Sequence, residues 1–284
     1  MDRPLFQVSS GLATLGPELV ALRDALERRI LLWAAEVDAQ AMQFPALVRV
    51  DALEKLDYFK NFPHLAVVAS HLLPGPLESH YAKGGSVADG IPAADLAAGR
   101  HVLPSAACYS VYLHLQGSVV TAPRFVTTVA TCFRNESSFD DLRRLWSFSM
   151  REIVCIGTAG EVQEHLGASK RRILDFAAQL GITLQVAAAS DPFYQPQGPR
   201  AMMQKLFPQK EELVYGQSLA IASLNFHRNF FGERCAITGA DGEPVFTGCA
   251  AFGLERWLHA LLDRFAGDAA AALAAVENAG SRGR

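Results

Sequence analysis

The chain has 284 residues, of which 50% are hydrophobic, and a formal net charge of −3 at pH 7. A chain of this size buries a large core, and its slightly acidic balance argues against many phosphate contacts with nucleic acid. Neither a signal peptide nor an apolar run of membrane-spanning length is found. The five cysteines are odd in number and widely spread, which does not suggest a disulfide framework. We therefore expect a cytoplasmic protein in a reducing compartment, without membrane association.

The first half of the chain predicts one long helix followed mainly by strands. Residues 17–38 are predicted to be helical, because Pro17 suits a first turn and apolar residues recur at steps of three and four. Residues 83–100 are rich in Gly, Ala and Asp and predict a loop with at most a short helix. Apolar runs predict strands at residues 62–69, 109–115, 124–133 and 151–157.

The second half alternates helices with further strands. Gly181 ends a helix predicted over residues 161–180, and the four prolines of residues 191–210 predict a loop or insertion. Strands are predicted at residues 182–188, 219–225, 233–238 and 244–247, with a hairpin turn at Gly239-Ala240-Asp241-Gly242.

The alanine-rich end predicts a fraying helix and a loose tail after a helix over residues 254–265. Clustered strands with separate helices favour an α+β fold, an antiparallel β-sheet flanked by helices. We expect a single domain at residues 1–270, with the helix at 17–38 packing on or beside its core, and a loose C-terminal tail at residues 271–284.

Two segments are candidates for holding phosphate. Neither a G-x-x-x-x-G-K-[ST] loop nor a G-x-G-x-x-G loop is present, so any ATP site would use side chains on a sheet. In Gly253-Leu254-Glu255-Arg256, an arginine at the start of a helix suits a phosphate. Arg134 and Glu136 lie two apart on a predicted strand and point to the same face, suited to a phosphate and an adenine amino group. The alternative for that pair is an exposed ion pair on a hairpin.

Together these segments resemble motifs 2 and 3 of the class II aminoacyl-tRNA synthetases. Phe133-Arg134-Asn135-Glu136 with its returning strand is similar to motif 2, and Gly253-Leu254-Glu255-Arg256 to motif 3. The resemblance covers about residues 50–265 and implies a class II synthetase-like catalytic core. It implies that the catalytic residues Arg134 and Arg256 bind the α- and γ-phosphates, and that Phe148 stacks on adenine. The implied ATP-binding residues are Arg134, Glu136, Arg144, Leu145, Phe148 and Arg256.

The chain is more similar still to the small amino acid:[carrier protein] ligases, relatives of the atypical zinc-dependent seryl-tRNA synthetases. The matching segments include Pro104-Ser105-Ala106-Ala107-Cys108-Tyr109, Met150-Arg151-Glu152, Ser223-Leu224-Asn225-Phe226-His227 and Gly248-Cys249. The resemblance implies one zinc ion per subunit, held by Cys108, Glu152 and Cys249, with a fourth position open to the substrate's amino group. The residues alone leave open the alternative that both cysteines are buried core residues.

This resemblance implies ATP-dependent activation of a small amino acid, glycine or alanine, to an aminoacyl-adenylate with Mg²⁺ accompanying ATP. The aminoacyl group would pass to the phosphopantetheine thiol of a small carrier protein, with pyrophosphate and AMP released. The implied substrate-binding residues are Glu152, Ser223, Asn225 and His227. A homodimer is expected. We also expect that tRNA is not a substrate, because the chain lacks room for an anticodon-binding domain.

Two alternatives remain open from the sequence. One is a seryl-type enzyme that charges tRNA without its tRNA-binding domain, and the other is a non-enzymatic paralogue that senses an amino acid or nucleotide. A degenerate sensor would be expected to lose Arg134 or Arg256, and both are present.

Overall fold

The computed structural model describes residues 4–198, 202, 204 and 209–279. The strands, in chain order, are β1 Phe6–Ser9, β2 Leu12–Leu15, β3 Gln40–Ala41, β4 Val48–Arg49, β5 Val67–Ala69, β6 His101–Leu103, β7 Val119–Val120, β8 Arg124–Phe133, β9 Ser147–Gly157, β10 Leu184–Ala189, β11 Lys210–Tyr215, β12 Leu219–Arg228, β13 Thr238–Gly239 and β14 Phe246–Gly253. The α-helices are α1 Pro17–Ala35, α2 Val50–Lys55, α3 Tyr58–Asn61, α4 Pro74–Ser79, α5 Tyr109–His114, α6 Ala159–Gln179, α7 Phe230–Cys235, α8 Leu254–Arg264 and α9 Ala269–Asn278. Among these residues, none of the helices combines the length and apolarity needed to cross a bilayer.

A large sheet forms the centre of the molecule. Among the described residues it has seven strands, in the order β10-β11-β12-β14-β9-β8-β3. Neighbouring strands are antiparallel, except that the two-residue strand β3 runs parallel to β8 at the edge. The predicted antiparallel sheet flanked by helices is therefore confirmed for all but the edge strand, which makes the sheet mixed.

Long helices cover one face of this sheet. The buried side chains of α1, α6, α8 and α9 form one apolar core with the strands, in which Trp257 is fully buried. Trp33 of α1 packs edge-on against Phe176 of α6, with ring centroids 5.4 Å apart. Thr158 and Glu161 form a capping box that starts α6, satisfying backbone N–H groups that a helix otherwise leaves unpaired. This side of the sheet is therefore a continuous packed layer.

Short helices cover the opposite face and leave room for a site. A second apolar core joins α2, α5 and α7 to the sheet and contains Cys108, Tyr112 and Cys249. Tyr112 of α5 stacks on Phe231 of α7, with ring centroids 4.0 Å apart. Short helices cover less of a sheet than long ones, and the cavities described below open on this face.

The structure corrects several predicted elements on this second face. Residues 109–115 are not a strand, because they form α5 with Val111 and Tyr112 buried. Residues 233–238 were also predicted as a strand, but they form the end of α7 and the start of β13. Within residues 62–69 the strand starts only at Val67, because Pro63–Leu65 form a 3-10 turn. Short apolar runs favour strands locally, but packing between elements selects helices here.

The predicted loose tail at residues 271–284 is wrong as far as Asn278. Asp268 caps α9 by accepting a hydrogen bond from the Ala271 N–H at 2.9 Å. Ala272 and Val276 are buried in the core of the first face, so small side chains allow this helix to pack closely. Residues 280–284 lie outside the described residues, as does part of the predicted loop at 191–210.

Candidate active site

The first of two adjoining cavities lies between the loop that joins β8 to β9 and the start of α8. It is lined by all of the predicted ATP-binding residues, Arg134, Glu136, Arg144, Leu145, Phe148 and Arg256. The prediction that Arg134 and Glu136 lie on a strand is wrong, because β8 ends at Phe133 and both residues belong to the following loop. The structure nevertheless brings both side chains to the same cavity.

Arg256 is a partly buried cation in the first turn of α8. Its Nε donates to the Arg143 carbonyl at 2.9 Å and its guanidinium donates to the Ala220 carbonyl at 3.0 Å. Burial lowers the pKa of Arg256, and the nearby positive charge of Arg134 lowers it further. Arginine stays protonated in proteins, and no carboxylate forms a salt bridge with Arg256 in the part of the chain that the structure describes. The site therefore holds positive charge suited to a polyanion.

Arg134 lies on the other wall of this cavity. Its guanidinium donates to the Ser105 carbonyl at 3.3 Å and sits 4.9 Å from the centroid of the Phe148 ring. A cation over an aromatic face is held by the ring's electron density. This contact positions Arg134 beside the ring that was predicted to stack on a base.

Glu255 fixes α8 against the sheet. Both carboxylate oxygens accept the Ser149 N–H, at 3.0 and 2.8 Å, and burial raises the pKa of Glu255. Gly253 immediately precedes α8. A side chain there would meet only Arg256, at 3.7 Å or more, so packing within the protein does not require glycine. In the Gly-Leu-Glu-Arg segment, the glutamate is structural and the arginine faces the cavity.

The second cavity opens on the same face of the sheet and contains all of the predicted substrate and metal residues. Those residues are Cys108, Glu152, Ser223, Asn225, His227 and Cys249. Strand register brings Glu152, Ser223, Asn225 and Cys249 together, because Asn225 pairs with Cys249, and Ala251 pairs with both Ser223 and Glu152. Side chains two apart on a strand share a face, so three neighbouring strands supply one wall.

The two cavities share a boundary. Arg134, Met150, Lys210, Ser223 and Ala251 line both of them. A ligand in the first cavity therefore lies next to a ligand in the second, with the guanidinium of Arg134 at the junction.

Two cysteines and a histidine form a group that could hold a metal ion. The ligand atoms of Cys108, His227 and Cys249 all lie within 4.8 Å of one another. Cys108 and Cys249 were predicted as metal ligands, whereas His227 was predicted to bind substrate. The predicted ligand Glu152 is outside this group, and its Oε1 accepts the N–H groups of Ala107 at 2.9 Å and Cys108 at 3.1 Å.

The donor chemistry of this group fits zinc. The second oxygen of Glu152, Oε2, is buried and has no hydrogen-bond partner among the described residues, and such a buried oxygen normally has one. Two thiols, an imidazole and a carboxylate are the ligand types that zinc prefers. A bound cation would supply the partner that Glu152 lacks.

Without a bound metal ion, the thiols of Cys108 and Cys249 both have raised pKa values. The hydrogen bond with Cys249, together with burial, raises the pKa of Cys108 well above its usual value. That hydrogen bond lowers the pKa of Cys249, but burial and the Glu152 carboxylate outweigh it and raise the pKa to about 11. Burial lowers the pKa of His227 to about 4, so the imidazole is neutral near pH 7. Because metals bind thiolates, metal binding would release protons from this cluster.

Sequence reasoning missed two charged residues of the second cavity, Lys210, which also lines the first, and Asp191. Lys210 Nζ lies 3.3 Å from Asp191 Oδ1 and 3.2 Å from Glu212 Oε1. Burial raises the pKa of Asp191, but the charge of Lys210 and the hydrogen bonds from Gln204 and Lys210 together outweigh it, so the net shift is downward. Both residues lie at the ends of the segment 191–210, which was predicted only as a loop or insertion and contains no recognisable motif.

Comparison with known proteins identifies the family, although no protein-family model matches the chain. Amino acid–[acyl-carrier-protein] ligase 1 of Bradyrhizobium diazoefficiens is 37% identical over 234 residues, which are 78% of this chain and 70% of the relative. The chain belongs to the amino acid–[acyl-carrier-protein] ligase family. Ligase 2 of the same organism is 35% identical over 238 residues, 78% of this chain and 68% of the relative. The predicted membership of this enzyme family is confirmed.

More distant relatives of this ligase are tRNA ligases. The type-2 serine–tRNA ligase of Methanothermobacter thermautotrophicus is 26% identical over 273 residues, 87% of this chain and 52% of the relative. The M. kandleri SerRS, solved in complex with A. aeolicus tRNASec, superposes with a TM-score of 0.77 at 20% identity, over 91% of this chain and 54% of that one. The chain thus spans about half the length of these tRNA ligases. The likeness confirms the class II synthetase-like fold.

Proposed function

We propose that this ligase activates a small amino acid with ATP and transfers the aminoacyl group to the phosphopantetheine thiol of a small carrier protein. In the first step a carboxylate oxygen of the amino acid bonds to the α-phosphorus, and the bond to the β-phosphate oxygen breaks. The products are an aminoacyl-adenylate and pyrophosphate. In the second step the thiol sulfur bonds to the carbonyl carbon, the bond to AMP breaks, and the thiol proton is released.

The observation that carries this proposal is the shared boundary of the two cavities at Arg134. Adenylate formation requires the carboxylate and the α-phosphate to lie in contact, since catalysis of this step is mainly positioning and charge stabilisation. Arg134 would bind the α-phosphate and Arg256 the γ-phosphate. The carboxylate is ionised near neutral pH, so no general base is needed.

The remaining residues of the first cavity would bind the nucleotide. Glu136 would accept a hydrogen bond from the adenine amino group, and Phe148 would stack on the base. Arg144 and Leu145 would complete the wall near the phosphates and the base, and Mg²⁺ would accompany ATP. The fixed hydrogen bonds of Arg256 to two carbonyls support this assignment, because a preorganised cation does not need to reorganise when charge develops.

We further propose that Cys108, Glu152 and Cys249 hold one zinc ion in each subunit of a homodimer. When bound, zinc would supply a Lewis acid for the amino group of the substrate. Asn225 Nδ2 donates to Ser223 Oγ at 3.1 Å and to Cys249 Sγ at 3.4 Å, so the Asn225 amide would orient the thiolate and the hydroxyl beside the substrate. Glycine or alanine is proposed on the likeness to the relatives.

Amino-acid-dependent exchange of radiolabelled pyrophosphate into ATP tests the activation step. The zinc-loaded protein is assayed with each of the twenty amino acids, and we expect glycine or alanine to support the fastest exchange. The absence of exchange with every amino acid would exclude the adenylate-forming activity, and a clear preference for serine would instead favour the seryl-type alternative.

A further inference from the structure

The His227 side chain has its two ring nitrogens in different surroundings. Nδ1 lies 3.2 Å from the Tyr112 hydroxyl and 3.4 Å from Thr247 Oγ1, and both of these residues are fully buried. Nε2 lies 4.0 Å from Cys249 Sγ. Because either hydroxyl oxygen can accept a hydrogen bond, Nδ1 can carry the proton while the lone pair of Nε2 faces the two cysteines.

Metal-bound histidines usually have this arrangement, in which one nitrogen is a ligand and the other donates to an oxygen of the protein. Zinc–sulfur and zinc–nitrogen bonds of about 2.3 and 2.0–2.1 Å at a tetrahedral angle place the two ligand atoms about 3.6 Å apart. The observed 4.0 Å between Nε2 and Cys249 Sγ is within a few tenths of an ångström of that value. Only a small side-chain movement would be needed for both atoms to bind one zinc ion.

Aromatic neighbours hold the imidazole ring in place. The Phe231 ring packs edge-on against His227 with centroids 5.0 Å apart, and the Tyr112 ring does so at 5.8 Å. Packing against these two stacked rings therefore helps to aim Nε2 at the cysteines.

We propose that His227 Nε2 is a metal ligand alongside Cys108 and Cys249 in the substrate-free protein, and that it occupies the position which the substrate's amino group later takes. This inference rests on the proposed zinc site and adds a residue to it. His227 would keep water out of that position until an amine replaces it. An amino acid would then compete with the His227 imidazole for this position on the metal. A ligand whose amino group is blocked would be disfavoured, because it could not replace the imidazole.

Zinc K-edge X-ray absorption spectroscopy of the wild-type protein tests this inference directly. Imidazole rings give characteristic multiple-scattering features, and His227 is the one histidine that lines this cavity among the described residues. We expect two sulfur ligands and one imidazole, and we expect the imidazole features to fall when the amino acid that supports exchange is added. A zinc site with two sulfur ligands and no imidazole would overturn this inference and leave the proposed function standing.

Two variants make the assignment specific. His227→Gln should retain zinc through the cysteines but lose the imidazole features, whereas His101→Ala, which removes an exposed histidine, should keep them. Imidazole features that persist in His227→Gln would overturn the assignment of the ligand. Imidazole features that stay unchanged at a saturating concentration of the amino acid would overturn the proposed replacement of His227 by the substrate's amino group. Protein that retains no zinc after incubation with an equimolar amount would overturn both this inference and the metal assignment.

Discussion

Arg256→Ala is expected to lower kcat/KM for amino-acid-dependent ATP–pyrophosphate exchange by about 100- to 1,000-fold, the range for loss of one preorganised charge-stabilising group. Arg256 makes no salt bridge among the described residues and instead donates to the carbonyls of Arg143 and Ala220. Its charge is therefore available to a phosphate. Arg256→Lys keeps the charge but cannot reproduce the planar fork of donors, so we expect an intermediate loss.

Arg264→Ala is the matched control for this prediction. Arg264 is an exposed arginine at the end of the same helix, α8, and donates to the Gly181 carbonyl at 2.9 Å. Its removal should leave exchange kinetics within about twofold, because side chains beyond a Debye length of about 10 Å are largely screened. Exchange by Arg256→Ala at the wild-type rate, in protein with an unchanged circular dichroism spectrum, would contradict the assignment of the phosphate site.

Cys249→Ala is expected to abolish stoichiometric zinc binding and, with it, exchange activity. Cys249 lines the second cavity, and its sulfur contacts both His227 Nε2 and Asn225 Nδ2. Removing one of two thiolates takes away a ligand that alanine cannot replace. Metal content is measured by plasma emission spectroscopy after dialysis, and exchange is measured on the same samples.

Cys132→Ala separates metal loss from a simple loss of packing. Cys132 is also fully buried, but it does not line the second cavity. Both substitutions remove a buried sulfur, so both should lower thermal stability, while only Cys249→Ala should lose zinc. Unchanged zinc content and exchange in Cys249→Ala would show that this cysteine is a core residue.

Much of the sheet was predictable from the sequence, because its long strands carry sustained apolar runs. β8 has the predicted bounds, Arg124–Phe133, and each end of α6 lies within two residues of its predicted position. The β1–β2 hairpin was missed because each strand has only four residues. Helix α5 was mistaken for a strand because aromatic and β-branched residues such as Tyr109, Val111 and Tyr112 favour strands locally, while packing against the sheet selects a helix.

The site was predictable as two sets of residues but not as one arrangement. Resemblance to motifs singled out Arg134 and Arg256, which are far apart in sequence, and the structure brings both to one cavity. Lys210, Asp191 and Tyr112 could not be recognised, because their importance depends on which strands and loops meet. His227 was assigned to substrate binding from its place after Asn225. Its proximity to Cys249 could not be predicted, because it depends on the pairing of β12 with β14, in which Asn225 lies opposite Cys249.

Transfer of a radiolabelled amino acid to a carrier protein is the most direct test of the proposed ligase activity. The zinc-loaded protein, ATP and the amino acid that supports exchange are incubated with one of three acceptors: a carrier protein bearing phosphopantetheine, the same carrier without it, and total tRNA. We expect label only on the phosphopantetheine-bearing carrier, in a bond cleaved by neutral hydroxylamine as a thioester is. Label on tRNA and none on the carrier protein would contradict the proposed function.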